Sequence, residues 1–277
     1  MGTIVGRVAE IRRYPVKSMT GELLAEAVLD RLGIPGDRRF AVRDATTGKV
    51  VSAKQPRHAA LLDCRATLGG GELLVTTADG RRFAPADPAD RAELDAALSS
   101  LLGRPVRFEA ATGDDGVYES WWPEIEGLAL SGITTDFPVG MATGKGTFVD
   151  LAALHVVTSA SLDHLRTLAP GSAITPDRFR PGILIDGGTP GAFAENDWAG
   201  RTARIGSAAI TVSMVAPRCV MTTLAQGALV RDPGVLQALA THNRLELGGG
   251  GAFACLGAYA EVDGPGTIAV GDPVELD

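Results

Sequence analysis

Histidine, cysteine, lysine and aromatic residues are all scarce in this chain of 277 residues. The three cysteines, Cys64, Cys219 and Cys255, are an odd count without CxxC or CxxxC spacing, which argues against a disulfide framework and a structural zinc site. The four histidines, His58, His155, His164 and His242, are scattered and show no metal-ligand spacing. No Gly-x-Ser-x-Gly elbow, His-Glu-x-x-His pair or P-loop is present. No apolar run approaches the roughly 18 residues of a transmembrane helix. The opening Met1-Gly2-Thr3-Ile4-Val5-Gly6-Arg7 lacks the basic-then-apolar layout of a signal peptide. A soluble, cytoplasmic protein without a membrane partner is therefore expected. Positive charge is in the minority, 26 Lys+Arg against 33 Asp+Glu for a net charge of −7, so nucleic acid is not an expected partner. Only Lys17, Lys49, Lys54 and Lys145 are lysines. The other cations are arginines, whose planar forks suit phosphates and carboxylates.

What the chain does have is β signal. Hydrophobic residues at 45% and charged residues at 21% are enough for a sizeable core, and the length suits two domains or one large one. Ile4, Val8 and Ile11 punctuate a strand-like opening, Arg39–Asp44 alternates with period two, and Leu73–Thr77 runs into an Ala78-Asp79-Gly80 turn. Ile183–Ile185, Ala209–Val212 and Thr267–Val270 read as further short strands. Helices are few. One is predicted from a capping box at Asp90 and Glu93 to Gly103, one from Ser159 or Ser161 to Pro170, and one from Asp232-Pro233 onward. Short strands with glycine turns predict a β-rich α+β fold built on barrels. The stretch Ala110–Gly146 has the weakest periodicity and is expected to be a junction between domains or an irregular loop.

Two segments could carry chemistry. In Val215-Ala216-Pro217-Arg218-Cys219-Val220-Met221 a strand meets a proline, and a cysteine follows with a cation directly before it. Such a cysteine is either buried and inert or disposed to the thiolate form that binds metals. Cys64 and Cys255 lie in apolar runs and read as core. In Thr175-Pro176-Asp177-Arg178-Phe179-Arg180-Pro181 two arginines two apart project to one side of an extended chain. With Lys17-Ser18 and Arg38-Arg39 they could furnish an anion pocket, although any one of them alone could be a solvated surface cation.

Six fragments stand in a recognisable order: Tyr14-Pro15-Val16-Lys17-Ser18, Gly36-Asp37-Arg38-Arg39-Phe40, Arg178-Phe179-Arg180-Pro181, Glu195-Asn196-Asp197-Trp198, Arg218-Cys219-Val220-Met221-Thr222-Thr223, and Gly257-Ala258-Tyr259 continuing to Gly266–Asp272. Together they resemble the MOSC family with its N-terminal β-barrel domain, the group that includes the mitochondrial amidoxime-reducing component and bacterial relatives. The resemblance covers essentially the whole chain. It implies an N-terminal barrel over residues 1–115, with the first strand free to pack on the C-terminal part, and a MOSC domain over residues 116–277.

The resemblance also implies a molybdenum cofactor in a cleft between the two parts. Cys219 matches the cysteine that ligates the metal and would be the catalytic centre. Lys17, Ser18 and Arg39 match the N-terminal cofactor-binding positions, Thr158 and Ser159 look like a cofactor-binding Thr-Ser pair, and Arg180 looks like the arginine of Phe-Arg-Pro-Asn. The asparagine of that motif is Gly182 here. A soft thiolate suits the metal, and cations and hydroxyls suit an anionic tail. The implied activity is reduction of N-hydroxylated or N-oxide small molecules. Three cysteines leave no set of four for an iron–sulfur cluster, so a separate donor protein, a reductase or ferredoxin, is expected. Trp121-Trp122-Pro123 could wall the cleft. The alternatives are a molybdopterin or sulfur carrier, and a descendant that uses the cleft without molybdenum.

Overall fold

The computed structural model describes residues 2–113, 116–141, 145–188 and 192–277. The architecture is β-rich α+β, with two β-built parts and a few helices on their flanks. Seven strands close a barrel: β1 (Thr3–Arg13), β2 (Leu154–Thr158), β3 (Ile183–Gly187), β4 (Thr202–Ile205), β5 (Ala208–Pro217), β6 (Ala252–Gly264) and β7 (Pro273–Leu276). Around the barrel the order is β2-β3-β1-β7-β4-β5-β6, and β6 pairs back onto β2 to close it. All pairings are antiparallel except β2 with β3. Alternation places Val8, Ile11, Val156, Ile183, Ile185, Ile210, Val212, Ala258, Ala260 and Val274 in one buried cluster inside the barrel.

The first strand belongs to this barrel, between β3 and β7. The chain then leaves through Tyr14–Ser18 and builds the second part. That part contains the pair Phe40–Asp44 with Val106–Ala110, the meander Arg65–Gly69, Glu72–Thr76 and Arg82–Phe83, and helix α1 (Pro88–Leu102). Its core is Val16, Met19, Val42, Leu61, Val75, Phe83, Leu94, Leu98 and Phe108. The cap of α1 is Asp87, not Asp90: Asp87 accepts from the amides of Ala89 and Asp90, and Pro88 opens the helix. Asp90 instead accepts from the Ala84 amide.

The weakly periodic stretch holds a hairpin, Val117–Trp122 with Ile133–Pro138; residues 114, 115 and 142–144 of that stretch lie outside the described residues. Tyr118 and Phe137 of the hairpin, and Val139 just beyond it, pack with Ala41, Val50 and Phe148. Helices α2 (Ser159–Leu168) and α3 (Gly234–His242) cover the barrel's outer face through Leu162, Leu165, Leu236 and Leu239 against Val157, Leu184 and Leu256. Asp232 accepts from the Gly234 amide at the start of α3. Among the described residues no helix is long and apolar enough to cross a membrane.

Candidate functional site

The two parts meet at a cleft lined by Lys17, Ser18, Arg38, Lys54, Asp150, His155, Arg180, Arg218, Cys219 and Tyr259. Each part supplies cations. The segment leaving β1 supplies Lys17 and Ser18, the approach to Phe40–Asp44 supplies Arg38, and the end of β5 supplies Arg218 and Cys219. Cys219 sits just past Pro217, which pairs with Cys255 of β6. It is half-buried, whereas Cys64 and Cys255 are buried. Its carbonyl accepts from the Thr222 amide and hydroxyl at 3.2 and 3.0 Å, so a turn at Val220–Thr223 fixes where the sulfur leaves the backbone.

Arg178 stabilises that loop from beneath. It is fully buried and donates to the carbonyls of Ala173, Thr222, Leu224 and Val230. The extended reading of Thr175–Pro181 fails here. Pro176–Phe179 is one helical turn and Arg180 is left-handed, so Arg178 turns to the loop carbonyls and Arg180 faces Tyr14 and Met19. Arg180 is 7% exposed, donates from Nη2 to the Met19 carbonyl at 2.7 Å and lies over the Tyr14 ring. Its Nη1 is buried with no acceptor. Burial pushes its guanidinium down to about 10.

At the other wall two ammoniums share one carboxylate. Lys17 donates to Asp150 and to the Phe148 carbonyl, Lys54 lies 3.1 Å from the other Asp150 oxygen and from the Tyr118 hydroxyl, and both stand over the Tyr118 ring. Burial pushes Lys17 down to about 8, with Asp150 acting against it. Burial also works against a charged Lys54, but Asp150 and Tyr118 outweigh it and raise that lysine well above its ordinary value. His155 is pushed well below its ordinary value, first by burial and then by Arg218, so it is neutral at pH 7. Gly257 lets β6 pass this imidazole: φ is +79° there, and a Cβ would stand 2.6 Å from His155 Nε2.

Backbone strain marks the same place. Among the described residues three non-glycine positions have positive φ: Ser18 at 67°, Arg38 at 47° and Arg180 at 55°. All three line the cleft. Such conformations persist where the surrounding structure over-determines them, and they concentrate at functional sites.

The structure thus brings together Lys17, Ser18, Arg180 and Cys219 of the residues singled out in the sequence. Arg39 is placed elsewhere. The left-handed turn at Arg38 sends Arg38 into the cleft, while Arg39 donates to the Gly146 carbonyl. Thr158 and Ser159 are also outside it. Thr158 caps α2, accepting from the Ser161 amide, and its own amide donates to buried Glu195. Ser159 donates to Asp186 and lines a separate hollow beside His164. Gly182 does not line the cleft; a Cβ there would lie 3.5 Å from Ile34. Trp121 packs with Val220 and Leu224, and Trp122 packs edge-on against Phe137 and Phe253, so neither walls the cleft. Lys54, Asp150 and His155 were not legible as site residues in the sequence. A chain with four lysines places two of them on one carboxylate.

Residues 5–115 match the family described as MOSC N-terminal beta barrel domain, and residues 143–275 match that described as MOSC domain. The chain is a MOSC-domain protein carrying the MOSC N-terminal β-barrel domain. Among curated proteins it is 25% identical to mitochondrial amidoxime-reducing component 1 of Mus musculus, over 98% of this chain and 82% of that one. It is 26% identical to mitochondrial amidoxime reducing component 2 of Macaca fascicularis, over 98% and 83%. Of solved structures, the YUAD protein from Bacillus subtilis superposes with a TM-score of 0.46 at 12% identity, over 100% of this chain and 98% of that one.

Proposed function

We propose that this protein is a molybdenum-cofactor-dependent oxidoreductase that reduces N-hydroxylated or N-oxide compounds, with Cys219 as the metal's ligand. The observation that carries the reading is Arg180: a buried guanidinium with an unpartnered Nη1, in a cleft that also holds a half-buried thiol. An unpaired buried donor calls for an anion, and a thiolate calls for a soft metal. The residues present fit a group that is anionic at one end and metallic at the other, and the sequence similarity to amidoxime-reducing components points the same way.

In this reading Cys219 holds the metal, and Arg180, Ser18 and Arg38 hold the anionic part. When bound, the cofactor supplies a redox-active metal able to take an oxygen atom. Reduction of an N-hydroxyl compound breaks one N–O bond and takes up two electrons and two protons, giving the amine-level product and water. The chain's part is to orient and to hold charge. Lys17 Nζ and Lys54 Nζ keep positive charge at one wall. Neutral His155 takes a hydrogen bond from Arg218 at 3.2 Å. Electrons would come from a separate donor protein.

Molybdenum and pterin content of protein produced with the cofactor available tests this. Cys219→Ser should lose the metal, and Arg180→Gln should retain at least about tenfold less pterin, the weight of a hydrogen bond to a charged group. Wild-type metal content in Cys219→Ser refutes the assignment. Bound pterin without turnover of benzamidoxime by a reduced viologen would make the protein a carrier instead.

A further inference from the structure

Charge around Cys219 is almost all of one sign, and most of it is already engaged. Among the described residues Asp150 is the only carboxylate lining the cleft, and it is shared by Lys17 and Lys54. Arg178 is bound to loop carbonyls and Arg38 is paired with Asp37. The proposed function assigns Arg180, and Arg38 beside it, to the cofactor. Arg218 remains, and three features mark it, the last of which it shares with Arg180.

It is the chain neighbour of Cys219, and both residues line the cleft. Its orientation is fixed from two sides. Nη2 donates to the Phe179 carbonyl at 2.8 Å, and Nη1 lies 3.2 Å from His155 Nε2. The His155 ring is itself held against Tyr259, with ring centroids 5.5 Å apart. Finally, Nε is buried with no acceptor, and no carboxylate of the described residues makes an ion pair with Arg218. A pre-oriented guanidinium with an unmet donor and no counter-ion is a receptor for an anion.

We propose that Arg218 reads a negative charge on the substrate, so that the compound reduced at Cys219 is an N-hydroxylated or N-oxide molecule bearing a carboxylate. The inference rests on the reading of Cys219 as the metal's ligand. Arg218 and Cys219 line one cleft, so a carboxylate seated on Arg218 would bring a small organic acid into the cleft that holds the sulfur. A cationic compound would meet Arg218 and Lys54 with no free carboxylate to receive it. Substrate choice is then set by charge as well as by shape.

Three compounds of one shape test this: benzamidoxime, its 4-carboxylate and its 4-trimethylammonium derivative. Their affinities for the cofactor-loaded protein are measured by calorimetry and their KM values with a reduced viologen as donor. The carboxylate should bind at least about tenfold tighter than the neutral parent, and the cation weaker than either. In Arg218→Gln the preference for the carboxylate should fall to about twofold or less. Arg218→Lys should keep part of it, because an ammonium keeps the charge and loses the fork. Equal affinities across the three compounds in the wild type, or a preference that survives Arg218→Gln, overturns the assignment. If Arg218→Gln does not fold, the wild-type series and Arg218→Lys decide. Charge-selective binding without turnover would leave Arg218 standing and remove the reductase reading; turnover of all three with one KM would do the reverse.

Discussion

Replacing Asp150 by asparagine should make the protein less stable and yet better at holding a simple anion. Asp150 is the shared counter-ion of Lys17 and Lys54, whose side chains are 4% and 14% exposed, while its own is 27% exposed. Removing one partner of a buried pair costs roughly 3–5 kcal/mol because the other charge is left unpaired. With the carboxylate about a quarter exposed, solvent screening lowers this to about 2–4 kcal/mol. At roughly 2–3 °C per kcal/mol for a chain of this size, the melting temperature should fall by about 4–12 °C. Adding Lys17→Met should cost less than the sum of the single changes, by about 1–3 kcal/mol, since it removes one of the orphaned charges. The effect on anions has the opposite sign. Asp150 competes with any ligand for both ammoniums, so inorganic phosphate should raise the variant's melting temperature more than the wild type's. The pH dependence is fixed as well. Burial alone would raise the Asp150 carboxyl, but Lys17 and Lys54 outweigh it and hold it well below the carboxylate range. Its stabilisation is thus complete above the unfolded value of about 3.9 and is lost as pH falls toward the lower folded value. Differential scanning calorimetry from pH 3 to 8, with and without phosphate, reads all of this. A shift below about 1 °C at pH 7, or additivity with Lys17→Met, would refute the account of a charge-bearing clamp.

Arg178→Met should cost about 3–5 kcal/mol, because four carbonyls lose a buried donor. Urea denaturation measures the loss, hydrogen exchange should show faster opening at residues 220–230, and an unchanged midpoint would mean the loop holds Cys219 by itself. A thiol reagent on the native protein at pH 8 should modify Cys219 alone. Burial pushes Cys64 up to about 11 and Cys255 to about 12, so both should react only after unfolding; a second native thiol would contradict this.

Local pattern made the barrel legible and left its membership hidden. The barrel strands at Ile183–Gly187 and Ala208–Pro217 announce themselves by β-branched runs beside glycines. That β1 closes the barrel between β3 and β7 depends on pairings across the whole chain, which no window reports. The hairpin at Val117–Trp122 and Ile133–Pro138 was missed for another reason. Its outer residues alternate among exposed and half-buried positions, so the two-residue period carries almost no contrast in polarity. Lys54 and Asp150 escaped because each is an ordinary residue in its own segment and becomes unusual only opposite the other.

The fragments that carried the family resemblance divide by physical task. Tyr14–Ser18, Gly36–Phe40, Arg178–Pro181 and Arg218–Thr223 converge on the cleft, and three of these four contain a left-handed non-glycine residue, Ser18, Arg38 or Arg180. A sequence shows the residue types and not the dihedral angle. This is why Arg39 and Arg38 look interchangeable in the sequence, and why the turn at Arg38 decides which of them enters the cleft. Apart from Tyr259, which lines the cleft, the other fragments brace. Glu195 is buried at the head of α2, where it binds the Thr158 amide and the Ser161 hydroxyl. Asp272 holds the Ala269 amide at 2.8 Å, and its carbonyl takes the Val8 amide of β1 at 2.9 Å. Thr158 lies in the bracing group because its hydroxyl caps a helix. A motif match therefore localises constraint, and only the backbone angle and the unpaired donors separate a residue that holds a ligand from one that holds the barrel.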